Sequence, residues 1–140
     1  MKGEMQMAED HGKKDRVYDI ESRLIDFSIR VMNLVEALPD TRVGNHVAGQ
    51  LLRCGTAPAA NYGEAQSAES RSDFIHKMKI ALKELRETRI WLLTIQRKPL
   101  AKPQKLTAIL TECNELTAIF VASIRTAQRN KTRGASGRQG

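Results

Sequence analysis

Residues 74–95 read Phe74-Ile75-His76-Lys77-Met78-Lys79-Ile80-Ala81-Leu82-Lys83-Glu84-Leu85-Arg86-Glu87-Thr88-Arg89-Ile90-Trp91-Leu92-Leu93-Thr94-Ile95. Within this stretch Phe74, Met78, Ala81, Leu85, Thr88, Leu92 and Ile95 recur at steps of three and four. That is the period of one helix face turned toward a core, not of a strand. Ser70 and Asp73 stand just ahead of it in the spacing of a capping box, with Asp in place of the usual Glu. The stretch predicts a long amphipathic helix with a defined start.

Working outward, three breaks divide the chain into four segments of this kind. Gln66-Ser67-Ala68-Glu69 precedes the quoted run, Lys98-Pro99-Leu100-Ala101-Lys102-Pro103 follows it, and Leu38-Pro39-Asp40-Thr41 lies further upstream. Proline ends a helix because it lacks an N–H and crowds the preceding turn. The first segment carries Ile20, Leu24, Phe27, Val31, Leu34 and Leu38, with Asp19 as its expected N-cap. The fourth carries Leu106, Leu110, Cys113, Thr117, Phe120 and Ile124, behind a Pro103 suited to a first turn.

The second segment keeps the seam at Val47, Leu51 and Cys54 and then departs from it. Gly55 and Pro58 fall inside the helix, and Asn61 falls on a core-facing position. The proline is expected to kink the helix. Such local violations mark either strain tied to function or a tight helix crossing. The small residues Gly55, Ala57, Ala59 and Ala60 favour the crossing.

Alternating apolar–polar runs and Asn-Gly or Asp-Gly hairpin signals are absent. The expectation is an all-α fold, an antiparallel up-down-up-down four-helix bundle over residues 17–128. Residues 1–16 and 129–140 are expected to be disordered flanks.

Length and composition fit one domain whose core is mostly Leu, Ile, Val and Ala, since aromatic residues are 4% of the 140. Cys54 and Cys113 form no Cys-x-x-Cys pair and read as buried thiols. The opening Met1-Lys2-Gly3-Glu4 leads into polar residues, so no secretion signal is expected, and no uninterrupted apolar run approaches membrane-spanning length. The reading is a cytoplasmic bacterial protein with no membrane partner. The net charge is +7 and is uneven. Residues 125–140 hold Arg125, Arg129, Lys131, Arg133 and Arg138 with no acid. A basic tail of this kind either contacts nucleic acid or only adds solubility.

The third segment offers more than one bundle face needs. On a wheel of about 100° per residue, Asp73, Lys77, Ile80, Glu84, Glu87 and Trp91 lie to one side of the seam. Ile75, Leu82 and Leu93 lie to the other, and Lys79, Lys83, Arg86 and Arg97 lie opposite. Trp91 is either an interface edge or a cap on the bundle core. The carboxylates Glu84 and Glu87 share a face, but helix surfaces carry such pairs routinely. His11, His46 and His76 do not follow a Glu by three, so a ferritin-like metal site has no support. No phosphate loop, dinucleotide turn or nucleophile elbow is present. The expectation is no enzyme: no catalytic residue, no cofactor and no metal.

Two further stretches carry a resemblance. Leu52-Arg53-Cys54-Gly55-Thr56 followed by Ala60-Asn61-Tyr62-Gly63-Glu64-Ala65 resembles the centre of the four helix bundle protein family, also called the 23S rRNA intervening-sequence protein family. The likeness continues through Glu69-Ser70-Arg71-Ser72-Asp73-Phe74-Ile75-His76-Lys77, then Ala81-Leu82-Lys83-Glu84-Leu85-Arg86-Glu87-Thr88, to Trp91-Leu92. It covers about Tyr18 to Thr126, closely in the second and third segments and only in pattern elsewhere. The resemblance implies an up-down-up-down bundle that assembles as a homopentamer. It carries no catalytic residues, and the motif positions Asn61, Glu64, Ser70, Asp73, Lys77, Glu84, Glu87 and Trp91 read as architectural. Early members of that family are encoded in insertions within bacterial 23S rRNA genes. A similar bundle serves diversity-generating retroelements as an accessory protein that binds nucleic acid and a reverse transcriptase.

Two functional expectations follow. One is a non-enzymatic, homo-oligomeric accessory protein that contacts RNA or DNA through phosphates, with Lys79, Lys83, Arg86, Arg97, Arg125, Arg129, Lys131, Arg133 and Arg138 as candidates. The other is a structural oligomer that recruits another protein and has no nucleic-acid role. The alternatives part on salt-sensitive binding to labelled RNA or DNA.

Overall fold

The computed structural model describes the backbone of residues 2–139 and the side chains of residues 19–130 and Thr132. Four helices carry it: α1 (Lys2–Ala37), α2 (Arg42–Gln66), α3 (Arg71–Arg97) and α4 (Thr107–Gln139). A 3-10 turn, Pro103–Lys105, leads into α4, and no strand occurs among the described residues. The all-α expectation holds. α1 runs back to Lys2 and α4 runs on to Gln139, so helical backbone covers most of both flanks expected to be disordered. The side chains of 1–16, and nearly all of those in the flank 129–140 beyond Asn130, lie outside the described residues.

The breaks fall where the sequence placed them, and side chains close two of them. Thr41 caps α2 by accepting from the Gly44 N–H at 3.0 Å, and Ser70 caps α3 by accepting from the Asp73 N–H at 3.0 Å. Asp19 caps nothing, because α1 already extends far ahead of it.

Cross-helix contacts give the orientation. Glu64 meets Lys77, Arg53 meets Glu84 and Glu87, and His46 meets Trp91. Residue numbers therefore fall in α2 as they rise in α3, which makes the pair antiparallel. The same inversion relates α1 to α4, where Arg23 meets Glu112 and Arg30 lies across from Lys105. Cys113 on α4 donates to the Leu85 carbonyl of α3. Each helix thus packs on its neighbours in chain order, and α4 returns to α1 along the thinnest seam.

The core follows the predicted stripes on α1 and α3, from Leu24 through Leu38 and from Met78 through Ile95, with Ile20 and Phe74 half-buried at one end. Thr88 is wholly buried because its hydroxyl donates to the Glu84 carbonyl at 2.7 Å, one turn back. On α4 the stripe differs from expectation: Ile109 and Leu116 are buried, while Leu110 and Thr117 are half-buried. Burying Leu116 gains more apolar area than Thr117 would, and one heptad back from Leu116 is Ile109. On α2 the core position is Tyr62, 3% exposed and ring to ring with Phe120 at 6.0 Å, rather than the adjacent Asn61.

Two glycines set the α1–α2 spacing. A methyl group on Gly55 would sit 2.7 and 2.8 Å from the two Val31 γ-carbons, and one on Gly44 would strike the Pro39 carbonyl oxygen. Gly55 and the buried Pro58 lie within one continuous helix, so the tight-crossing reading of α2 is correct at Gly55. Ala60, by contrast, is exposed.

By length and composition Pro103–Asn130 could cross a membrane, which the sequence reading missed by looking only for unbroken apolar runs. In the bundle its bulky apolar groups Leu106, Ile109, Leu116, Phe120 and Ile124 are buried. Its exposed residues include the charged Lys105, Glu115, Arg125 and Arg129 beside small Ala and Thr side chains, and Glu112 pairs with Arg23 on α1. That is the pattern of a core helix.

Candidate nucleic-acid interface

The motif residues assemble into one seam between α2 and α3. Periodicity puts His46, Arg53, Ala57, Asn61 and Glu64 on the α2 flank beside the core stripe. Facing them, Asp73, Lys77, Ile80, Glu84, Glu87 and Trp91 are all half-buried on α3. Lys77 Nζ donates to Glu64 Oε2 at 3.0 Å. Arg53 donates to Glu84 Oε2 at 3.3 Å and also to Glu87. Trp91 meets the His46 ring edge-on, centroids 5.9 Å apart and planes at 75°. Part of the breadth of the third helix is thus met by α2, with Trp91 against His46, while Ile90 on α3 is 57% exposed. Asn61 makes no side-chain hydrogen bond among the described residues.

The carboxylate pair is accordingly occupied. Glu84 and Glu87 both turn to one guanidinium, a structural ion pair rather than an acid and a base facing a cleft. The thiols are inert as nucleophiles: burial pushes Cys54 up to about 11 and Cys113 up to about 12. Arg53 and His46, which complete the seam, were not singled out in the sequence. Their signal was a second polar stripe on α2 in register with its apolar one.

On the outer side of α3 the charge is sorted. Lys79, Lys83, Arg86, Arg89 and Arg97 are exposed, as is Arg71 at its start, whereas the three acids of the helix are half-buried on the α2 flank. Every exposed charged residue of α3 is basic. The run continues through Lys98, Lys102 and Lys105, all exposed, and the chain holds no acid between Glu87 and Glu112. None of these outer cations is in an ion pair among the described residues. That acid-free interval was legible in the sequence, yet only Arg97 of its five bases was taken there as a nucleic-acid candidate.

The remaining candidates are spread out. Arg125 and Arg129 are exposed on α4, beside Gln128 and Thr132, at the end where α3 begins. Arg97 is at the opposite end, with Lys79, Lys83 and Arg86 between. The side chains of Lys131, Arg133 and Arg138 lie outside the described residues.

A second surface is apolar. Ile25, Ile29 and Met32 are spaced four and three along α1 and are 49%, 47% and 43% exposed. A lone exposed Ile is ordinary, but three on one face form a patch.

A family model described as 23S rRNA-intervening sequence protein matches residues 17–122. Among solved structures, the chain is similar to the crystal structure of a protein with unknown function from the S23 ribosomal protein family of Bacteroides thetaiotaomicron, at 32% identity. The TM-score is 0.71, and the match covers 75% of this chain and 97% of that one. No curated protein matches the sequence.

Proposed function

This chain belongs to the 23S rRNA-intervening sequence protein family, and from that premise we propose that it is a non-enzymatic cytoplasmic protein that self-associates and engages nucleic acid through phosphate contacts. The observation that carries the reading is the sorting of charge on α3: unpaired bases outside, acids turned inward to α2. Keeping several long cations exposed and unneutralised is unfavourable for the fold alone, because like charges repel along one face. A polyanion relieves that repulsion and releases its counterions.

Self-association draws on the α1 stripe of Ile25, Ile29 and Met32. A homopentamer would repeat the cationic face five times and raise avidity. The basic residues beyond Gln128 would add further contacts.

Fluorescence anisotropy with labelled RNA and DNA at low and physiological salt tests this. Lys79→Glu with Lys83→Glu should weaken binding at least tenfold, and binding should fall steeply with salt. A chain ending at Gln128 measures the tail's share. Absence of binding at low salt would sink the reading. The α1 stripe would then favour recruitment of another protein.

A further inference from the structure

A cleft of about 270 Å³ opens between α1 and α4, lined by Arg30, Asn33, Leu34, Lys105, Ala108 and Ile109. Its floor is apolar, since Leu34 and Ile109 are 5% and 3% exposed. Its rim is cationic and polar, since Arg30, Asn33 and Lys105 are exposed. Glu112 lies close enough to Arg30 to feel its charge, but its hydrogen bonds go to Arg23. Arg30 and Lys105 have no ion-pair partner among the described residues. Lys105 also belongs to the acid-free basic stretch that runs on from the end of α3, so one of the two cations of the cleft comes from that stretch.

We propose that this cleft seats one unpaired nucleotide of a single-stranded nucleic acid, with Arg30 and Lys105 at its rim for the flanking phosphates. The inference rests on the nucleic-acid reading above and narrows it to single strands. The cleft is smaller than the roughly 300–1,000 Å³ that buries a drug-sized ligand, so it suits a single ring system. Arg30 on α1 and Lys105 just ahead of α4 belong to the two walls of the cleft, each a cation for a flanking phosphate. Ala108, over the buried Leu34 and Ile109, completes the apolar lining against which an unstacked base is held. Asn33 carries both donors and an acceptor for a base edge. In a duplex the bases are stacked and paired, and only the phosphates would reach the rim.

The test uses the full chain and three probes: a labelled single-stranded RNA, the blunt duplex of the same sequence, and polyglutamate as competitor. Ala108→Trp fills the cleft and leaves every charge in place; Ala118→Trp, exposed elsewhere on α4, is the control. Circular dichroism verifies that both variants fold. The expected result is a roughly tenfold loss of single-strand affinity for Ala108→Trp, with duplex affinity unchanged. The control should match the parent. Arg30→Gln with Lys105→Gln should weaken single-strand binding and flatten its salt dependence. Equal single-strand and duplex binding by the parent, or no effect of Ala108→Trp, overturns the cleft while leaving the α3 surface standing. If the parent binds neither nucleic acid, the broader reading fails with it. Displacement of RNA by polyglutamate that is lost in Ala108→Trp assigns the cleft to an acidic protein segment instead.

Discussion

Glu64 on α2 accepts a hydrogen bond from Lys77 on α3 at 3.0 Å, while Asn61, one turn earlier on the same flank, accepts and donates none among the described residues. The polar seam between these helices is therefore uneven. The two residues read together from the sequence have different weights.

Asn61→Leu should change stability by no more than about 0.5 kcal/mol, since no buried partner is stranded. Glu64→Ala should cost less than about 1 kcal/mol, because the pair is largely solvated. The neighbouring Tyr62→Ala should cost on the order of 3–5 kcal/mol, through the cavity left beside Phe120. Urea denaturation of the three variants ranks them, and a large loss at Asn61 would contradict the structure.

Gly55→Ala and Gly49→Ala are the same chemical change within one helix and should have opposite signs. Val31 blocks a methyl at Gly55, so α1 must move away or repack, at a cost of about 1–3 kcal/mol. Nothing lies within 4 Å of a methyl at Gly49, so the gain in helix propensity remains, about 0.5–1 kcal/mol. Thermal melts compare them directly.

Hydrogen bonds from Arg23 hold the Glu112 carboxyl below its usual range, against an opposing effect of burial. A carboxyl whose value is depressed in the folded state adds stability above its unfolded value near pH 4.3 and loses it as pH falls through the folded one. Glu112→Gln should therefore reduce the unfolding free energy most at neutral pH, by an amount on the order of 1 kcal/mol, and the gap to the parent should close in acid. A gap that is constant from pH 7 to pH 3 would rule out the ion pair as its source.

Cys54 and Cys113 are wholly buried, and burial raises both thiols far above neutral pH. Reaction with a thiol reagent at pH 7.5 should be slow in the native protein and complete within the dead time in guanidinium. Two thiols should be titrated per chain after unfolding. Rapid native labelling of either would show that the core opens locally at that helix.

The fold was legible because two of its four stripes are unambiguous. Phe27 to Leu38 and Met78 to Ile95 offer the core one apolar choice at each turn. On α4 two adjacent positions compete at successive turns, Ile109 with Leu110 and Leu116 with Thr117, and periodicity alone does not decide between them. Asn61 and Tyr62 pose the same ambiguity on α2. The cationic surface was half legible: the α3 bases stand opposite the seam on any wheel, but the role of Glu84 and Glu87 depends on Arg53, 31 and 34 residues away. The α1–α4 cleft joins residues about 75 positions apart and left no local trace.

Closure of α4 onto α1 also bears on the order in which the bundle assembles. Arg23 and Glu112 are 89 residues apart, whereas each other seam joins helices that are neighbours in the chain. Loop-closure entropy grows with that separation, and local hairpins form before distant contacts repay it. Helices α2 and α3, sharing the densest packing, form the natural nucleus. The α1–α4 contacts then belong to the downhill side of the barrier. Arg23→Ala should speed unfolding while leaving the folding rate near that of the parent, and Leu85→Ala should slow folding itself. Stopped-flow chevrons of the two variants separate these rates. A slower folding rate for Arg23→Ala would place ring closure inside the transition state.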